Sequence, residues 1–131
     1  MNKNFYILVE YIRQLNLYFD EKYDIDCILY CDINVTWYTF SIEVNTNINN
    51  REFKYDFNMH SDGLCYLSDN DTQVSLEFIA FQIFQLAFKI YDWCNQNFDD
   101  VEHMFDVEKQ HFNECLQLLE KSKSVLNNQT F

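Results

Sequence analysis

The sequence contains no proline and a single glycine, Gly63. Linkers, disordered arms and phosphate-binding loops are rich in these residues, so their scarcity argues against such segments. Bases are also few: nine Lys and Arg stand against 21 Asp and Glu, for a formal net charge of −12. Such a chain repels phosphate, which argues against direct binding to DNA, RNA or an anionic membrane.

A long uninterrupted apolar run is also missing. The most apolar stretch, Val74 to Cys94, is interrupted by polar residues, which rules it out as a membrane span. The N-terminal apolar run is interrupted by Glu10 and Arg13 and is not typical of a signal peptide. The five cysteines form an odd set without a C-x-x-C pair, which indicates reduced thiols in a cytoplasmic protein.

The apolar and aromatic residues of the chain are numerous enough to form a hydrophobic core. Apolar residues make up 48% of the chain and aromatic residues 18%, so we expect one compact domain over residues 1–131. Apolar residues recur every three or four positions from Phe5 to Phe19, which predicts a first helix with Tyr11 on its flank. Val9 belongs to this predicted inward stripe.

Period-two patterns follow this helix. They predict strands within residues 25–32, 38–44 and 53–57, with a turn at 32–34 and a loop at 45–50. Leu64 to Leu67 is a candidate for a short fourth strand. Such strands with short connections indicate an antiparallel meander that packs on helices.

Two more helical regions are predicted. The first, residues 75–96, is apolar around most of its circumference and is capped by Thr72 or Asp71. The second reaches from about residue 99 to 126 with Phe112 inward, and we expect a break at residues 106–109 because Glu108 would otherwise face the core. The predicted fold is therefore α+β, in the order α-β-β-β-α-α.

The sequence indicates no catalytic site, no metal site and no cofactor. It lacks the motifs of hydrolases, nucleotide-binding loops and zinc proteases. Asp100 with His103 and Glu108 with His111 have carboxylate–histidine spacing, but both pairs lie on one stretch, unlike the ligands of helical di-iron sites. Polar residues on an exposed helix explain them more simply.

The acidic segment from Asp92 to Glu114 is the most informative feature, with seven acids against one base, Lys109. Helical spacing predicts that several of these carboxylates, Glu114 among them, stand on one outward arc about 5–6 Å apart. A second acidic group lies before the central helix. The predicted partner-binding residues are Asp92, Asp99, Asp100, Glu102, Asp106, Glu114, Asp69 and Asp71.

Parts of the chain resemble a known protein family. The residues are Ala87-Phe88-Lys89, Trp93, Asn95-Gln96 and the run Asp99-Asp100-Val101-Glu102 leading to Phe105. With the element order and acidity, they resemble small phage-encoded type II-A anti-CRISPR proteins. The resemblance implies a DNA mimic that blocks the site where an RNA-guided nuclease reads its protospacer-adjacent motif. Position by position, the resemblance assigns the binding role to Asp99, Asp100 and Glu102, with Asp106 as a weaker match. This chain departs from the family in being longer, in having fewer acids after Phe98 and in having a more apolar central helix.

These observations predict a phage or mobile-element inhibitor that acts without catalysis in the cytoplasm of a host bacterium. Its partner would be a CRISPR effector nuclease or another DNA-binding defence protein, and the chain would be a monomer or homodimer. The alternative is an acidic secretion chaperone or an immunity-type binding protein. An exposed apolar patch beside a two-fold interface would favour that alternative.

Overall fold

The computed structural model describes residues 2–23, 29–35, 39–48, 51–95 and 101–127, with side chains for 2–22, 29–35, 39–46, 53–87 and 109–127. Over these residues the elements follow one another as α1 (Lys3–Tyr23), β1 (Tyr30–Val35), β2 (Thr39–Ile48), β3 (Arg51–His60), β4 (Cys65–Leu67), β5 (Gln73–Val74), α2 (Leu76–Asn95) and α3 (Val101–Asn127). The predicted α+β class and the order of its main elements are confirmed.

The strands form one antiparallel sheet in the order β1-β2-β3-β4-β5. The predicted meander is therefore present, and the candidate fourth strand is confirmed as β4. The fifth strand, β5, was not predicted, because two residues cannot display a period-two pattern. It pairs with β4 through Cys65 opposite Val74.

One face of the sheet carries the core. Ile42 and Val44 of β2 and Phe57 and Met59 of β3 are buried, and α2 packs against these two strands. Directly opposed residues of antiparallel strands share a face, so the residues between them point to the other side. That second face, the open face of the sheet, is polar.

Two predicted interruptions of the strands are wrong. The expected turn at residues 32–34 lies inside β1, and the first part of the expected loop at 45–50 belongs to β2. Asp, Asn and Thr favour turns, but here they alternate with Ile33, Val35 and Ile48. The polar residues of β1 occupy the open face, so the alternation of apolar and polar residues outweighed the tendency of Asp and Asn to form a turn.

The helices join one another through a buried tyrosine. Tyr11 of α1 is fully buried, which corrects its predicted place on the flank. Its hydroxyl donates to the Ala80 carbonyl of α2 at 2.7 Å and lies 3.4 Å from Cys115 Sγ of α3. In the part of the chain that the structure describes, no helix combines the length and apolarity that a membrane span requires.

The ends and faces of the helices differ from expectation in several places. Ser75, rather than Thr72 or Asp71, caps α2: its hydroxyl accepts from the Phe78 N–H at 3.1 Å. α3 is continuous through residues 106–109, so the expected break is wrong. Val9 and Phe112 were predicted inward, but they are 46% and 41% exposed. Each lies at the edge of the apolar stripe of its helix, where a small rotation of the helix determines whether the side chain is buried or exposed.

The single glycine turns the chain between β3 and β4. Gly63 has φ +93°, a backbone conformation that side chains with a Cβ rarely adopt. Its N–H donates to the His60 carbonyl at 2.9 Å, and its own carbonyl accepts from Asn4 Nδ2 at 2.9 Å. A Cβ at this position would stand 2.9 Å from Asn4 Nδ2, so the turn also fixes the start of α1.

Candidate functional site

A row of carboxylates crosses the open face of the sheet. Asp32 of β1 lies opposite Glu43 of β2, and Glu43 lies opposite Asp56 of β3. Neighbouring strands are about 4.8 Å apart, so the row carries one carboxylate at about that interval. Asp32 and Asp56 are exposed and Glu43 is half-buried. We call Asp32, Glu43 and Asp56 the acidic row.

Asn45 orients the outer end of the acidic row. Its side-chain amide is buried and donates from Nδ2 to Asp32 Oδ2 at 2.9 Å. Among the residues that the structure describes, Asn45 Oδ1 has no hydrogen-bond partner. A buried acceptor of this kind is costly unless something donates to it. The amide therefore holds one carboxylate of the row in place and keeps a spare acceptor beside it.

Glu43 and Asp56, two neighbours in the acidic row, repel each other. Partial burial raises the pKa of Asp56, and the charge of Glu43 and a hydrogen bond with it raise that pKa further. Lys54 lowers the pKa of Asp56, whereas the charge of Asp69 raises it. Like charges directly opposite each other in a sheet are destabilising. The row is thus held together by the fold at a cost in stability.

We predict that Asp56→Asn stabilises the protein at neutral pH by roughly 0.2–1 kcal/mol. Because the pKa of Asp56 is raised on folding, its favourable contribution is complete below the unfolded pKa and is lost as pH rises through the folded pKa. The advantage of the variant should therefore grow from acidic to neutral pH. Urea unfolding at several pH values measures it, with Asp20→Asn on exposed helix surface as control. An advantage that shrinks as pH rises would contradict this account.

The ion pairs among the described residues lie on the helices. Arg13 pairs with Glu10, Lys22 with Glu114, and Lys123 with both Glu77 and Glu120. These bases are therefore engaged away from the sheet. On the open face Lys54 is the base nearest the acidic row, opposite Asn45. The sheet consequently presents an excess of negative charge on one side of the molecule.

An aromatic pair borders the acidic row on the same face. Tyr66 of β4 lies opposite Asn58, and its ring is 4.2 Å from that of His60, centroid to centroid. Both side chains are half-exposed. Aromatic side chains of this kind are frequent anchors in protein interfaces. The open face therefore combines carboxylates with a flat aromatic surface.

Glu114 does not lie on an outward arc, which corrects its predicted position. It faces α1, where it accepts from Lys22 Nζ at 2.7 Å and from the Tyr18 hydroxyl. Gln110 Nε2 donates to it at 3.2 Å. Burial alone would raise the pKa of Glu114, but these hydrogen bonds outweigh it and the pKa is lowered. The negative charge of Glu114 is balanced by Lys22 within the fold, and this contact joins α3 to α1.

We predict that Glu114→Gln lowers stability at neutral pH by about 1 kcal/mol, because the charged hydrogen bonds are lost. A lowered folded pKa gives stability that is present above the unfolded pKa and is lost as pH falls through the folded pKa. The difference between variant and wild type should therefore vanish in acid. Urea unfolding at neutral and acidic pH checks this, with Glu120→Gln on exposed surface as control. An equal loss in both variants would contradict the assignment.

Of the remaining predicted partner-binding residues, the structure describes the side chains of two, Asp69 and Asp71, and not those of the other five. Asp69 lies exposed in the turn after β4, and its charge contributes to the raised pKa of Asp56. Asp71 is exposed in the same connection with φ 54°, and its N–H donates to the Leu67 carbonyl at 3.1 Å. Asp99 and Asp100 lie outside the described residues. The backbones of Asp92, Glu102 and Asp106 are helical, and their side chains lie outside the described ones.

The cysteines that the structure describes are poor nucleophiles. Burial, followed by the charge of a nearby acid, raises the pKa of Cys31 and of Cys65 to about 11. Burial also raises the pKa of Cys115. Thiols with such pKa values stay protonated at neutral pH, and the thiolate is the reactive form.

In the described part of the chain, the histidines and the possible metal ligands are not gathered into one site either. His111 is buried beside Phe84, and burial lowers its pKa.

A cleft of about 430 Å³ lies beside Gly63 and the start of α2. Its lining is Asn4, Gly63, Leu64, Cys65, Gln73, Val74, Ser75 and Leu76. Within the described part of the chain, no three His, Cys, Asp or Glu side chains are placed to share a metal ion.

Comparison with models of protein families, with curated proteins and with solved structures gives no match.

Proposed function

We propose that this protein is a non-catalytic inhibitor that binds the DNA-binding cleft of a bacterial defence nuclease through the open face of its sheet. The observation that carries the proposal is the acidic row, Asp32–Glu43–Asp56. One DNA strand carries a charge per ~3.4 Å of helix axis, and the row carries one per about 4.8 Å. A cleft lined with Arg and Lys can accept such a row in place of phosphates.

The energetics support the same role. The repulsion between Glu43 and Asp56, which adds to the effect of burial in raising the pKa of Asp56, costs stability in the free protein. Basic side chains of a partner would remove that repulsion on binding. A base at Asp32 also brings N–H donors close to Asn45, whose Oδ1 lacks a partner among the described residues. The free energy stored in the isolated protein would then favour the complex.

The resemblance to type II-A anti-CRISPR proteins suggests a first target, an RNA-guided nuclease loaded with its guide. We expect purified protein to inhibit cleavage when it is added before the target DNA and to inhibit much less when it is added afterwards. Inhibition should weaken with added salt, because charge-assisted contacts are screened. Inhibition that is independent of the order of addition would argue against competition with DNA.

Matched variants locate the surface responsible. The sheet-neutral variant combines Asp32→Asn, Glu43→Gln and Asp56→Asn, and we expect it to lose inhibition. The control variant combines Asp20→Asn, Glu21→Gln and Glu120→Gln, which removes the same charge from exposed positions on α1 and α3. It should inhibit like wild type. Equal loss in both would mean that net charge, and not the row, is responsible.

The predicted acids of the segment 99–102 are tested in parallel. A variant with Asp99, Asp100 and Glu102 changed to Ala separates the two acidic surfaces. If it loses inhibition and the sheet-neutral variant keeps it, the proposed function stands and the binding surface is assigned to residues 99–102 instead. If both variants inhibit like wild type, DNA mimicry by either surface is wrong.

A further inference from the structure

A second surface lies at the outer edge of the sheet. β1 is an edge strand whose described partner is β2 on one side, and all of its residues except Cys31 are exposed. An exposed edge offers unpaired backbone N–H and C=O groups to any extended chain. Natural edge strands are usually shielded by charge, bulges or covering elements, so six exposed edge residues with no further strand beside them in the described part of the chain are a ready site for strand addition.

The two faces of β1 differ in chemistry. On the helix side, Ile33 is 40% and Val35 is 59% exposed, although both point towards the core face of the sheet. On the open face, β1 carries the exposed Asp32 at the end of the acidic row. A strand added beside β1 would therefore meet apolar side chains on one face and a carboxylate on the other.

α1 extends the apolar side of this edge. Asn16 exchanges hydrogen bonds with the backbone N–H and carbonyl of Leu29, just before β1, at 3.1 and 3.0 Å. Near its other end, Phe5 contacts Phe40, which lies opposite Val35. α1 thus follows β1 in the opposite direction, and Val9 shares the side of α1 that carries Phe5 and Asn16. The exposed Val9 adds to the apolar surface there.

We propose that β1 binds an extended segment of a partner protein in which apolar and basic residues alternate. The backbone of the segment would pair with β1, its apolar side chains would cover Ile33 and Val35, and a Lys or Arg would lie opposite Asp32. Opposite charges on directly opposed strand positions attract, and this pair would extend the acidic row into the partner. This proposal shares Asp32 with the acidic row, but it rests on the backbone edge of the sheet and does not require a basic cleft.

Charge also decides against a second copy of this chain as the occupant. Two chains of net charge −12 repel each other, and a β1–β1 pairing would bring a second Asp32 into the same sheet. Analytical ultracentrifugation should therefore find a monomer. A dimer that is lost on Val35→Lys would assign the edge to self-association and overturn the proposal.

A peptide that alternates Val and Lys over the length of β1 serves as the probe. We expect it to bind and to slow hydrogen exchange of β1 amides, and a peptide of the same composition with its Val and Lys in blocks to bind at least about tenfold more weakly. Two further peptides are N-methylated at one or the other alternate set of backbone nitrogens. Only the set that faces β1 should abolish binding, because alternate residues of a strand direct their N–H groups to opposite sides.

Charge exchange provides the decisive comparison. Asp32→Lys should reject the Val–Lys peptide and accept a Val–Glu peptide, whereas the control Asp20→Lys on α1 should keep the wild-type preference. Circular dichroism establishes that both variants are folded. Equal binding of the alternating and block peptides, or unchanged exchange at β1 amides, would overturn the proposal. Because the readout is peptide binding, a negative result here would not refute nuclease inhibition. A failure to inhibit the nuclease would likewise not refute peptide binding at β1.

Discussion

Replacement of Phe84 by alanine is expected to remove about 3–5 kcal/mol of stability, the range found for buried Phe truncations. Phe84 of α2 is fully buried, and its ring lies 6.0 Å from that of Tyr18, 5.6 Å from that of Phe19 and 5.4 Å from that of His111. It therefore contacts α1 and α3 at once. Domains are stable by only about 5–15 kcal/mol, so this single change removes a large share.

The matched control for Phe84→Ala is Phe78→Ala on the same helix. Phe78 is 41% exposed, and its truncation should cost much less, of the order of 1 kcal/mol or below. Urea unfolding, followed by near- and far-ultraviolet circular dichroism, gives both values. Similar losses in the two variants would contradict the described packing of α2 between the sheet and the other helices.

Reversal of charge at Glu43 is expected to change stability and binding in opposite directions. Glu43 lies between Asp32 and Asp56, so Glu43→Lys turns two repulsive cross-strand pairs into attractive ones. Each pair contributes roughly 0.2–1 kcal/mol, and we expect a more stable protein. A partner's basic side chains would now meet a positive charge at the centre of the acidic row.

The expected loss of inhibition by Glu43→Lys is at least about thirtyfold, which corresponds to the ~2 kcal/mol or more that disruption of an interfacial charge pair costs. Glu21→Lys, the same charge change on exposed α1 surface, is the control and should inhibit like wild type. Thermal unfolding and cleavage inhibition are measured on the same preparations. A variant that is more stable and still inhibits fully would separate the acidic row from function.

Local patterns predicted much of this fold. The apolar spacing of α1, the strict alternation around Phe57 and the apolar circumference of α2 each follow from residues close together in the chain. The errors in the strand boundaries arose where polar residues were given too much weight. Asn45 and Asp32 favour turns in isolation, but on the open face of a sheet they keep the alternation intact.

The acidic row could not be recognised from helical spacing, because its members are brought together by strand pairing. Ile48 pairs with Arg51, and this register places Glu43 opposite Asp56. The alternation in both strands around a short Asn-rich connection carried that information. The position of Glu114 was predicted wrongly for a related reason. Its partners Tyr18 and Lys22 belong to α1, which is distant in the chain, and their approach follows from tertiary packing.

Equilibrium competition shows whether the acidic row occupies the same cleft as DNA. The apparent Kd of a guide-loaded nuclease for labelled target DNA is measured at increasing concentrations of the protein, of the sheet-neutral variant and of the control variant. We expect wild type and control to raise this Kd in proportion to their concentration, whereas the sheet-neutral variant should leave it unchanged. A sheet-neutral variant that competes as well as wild type would contradict the account.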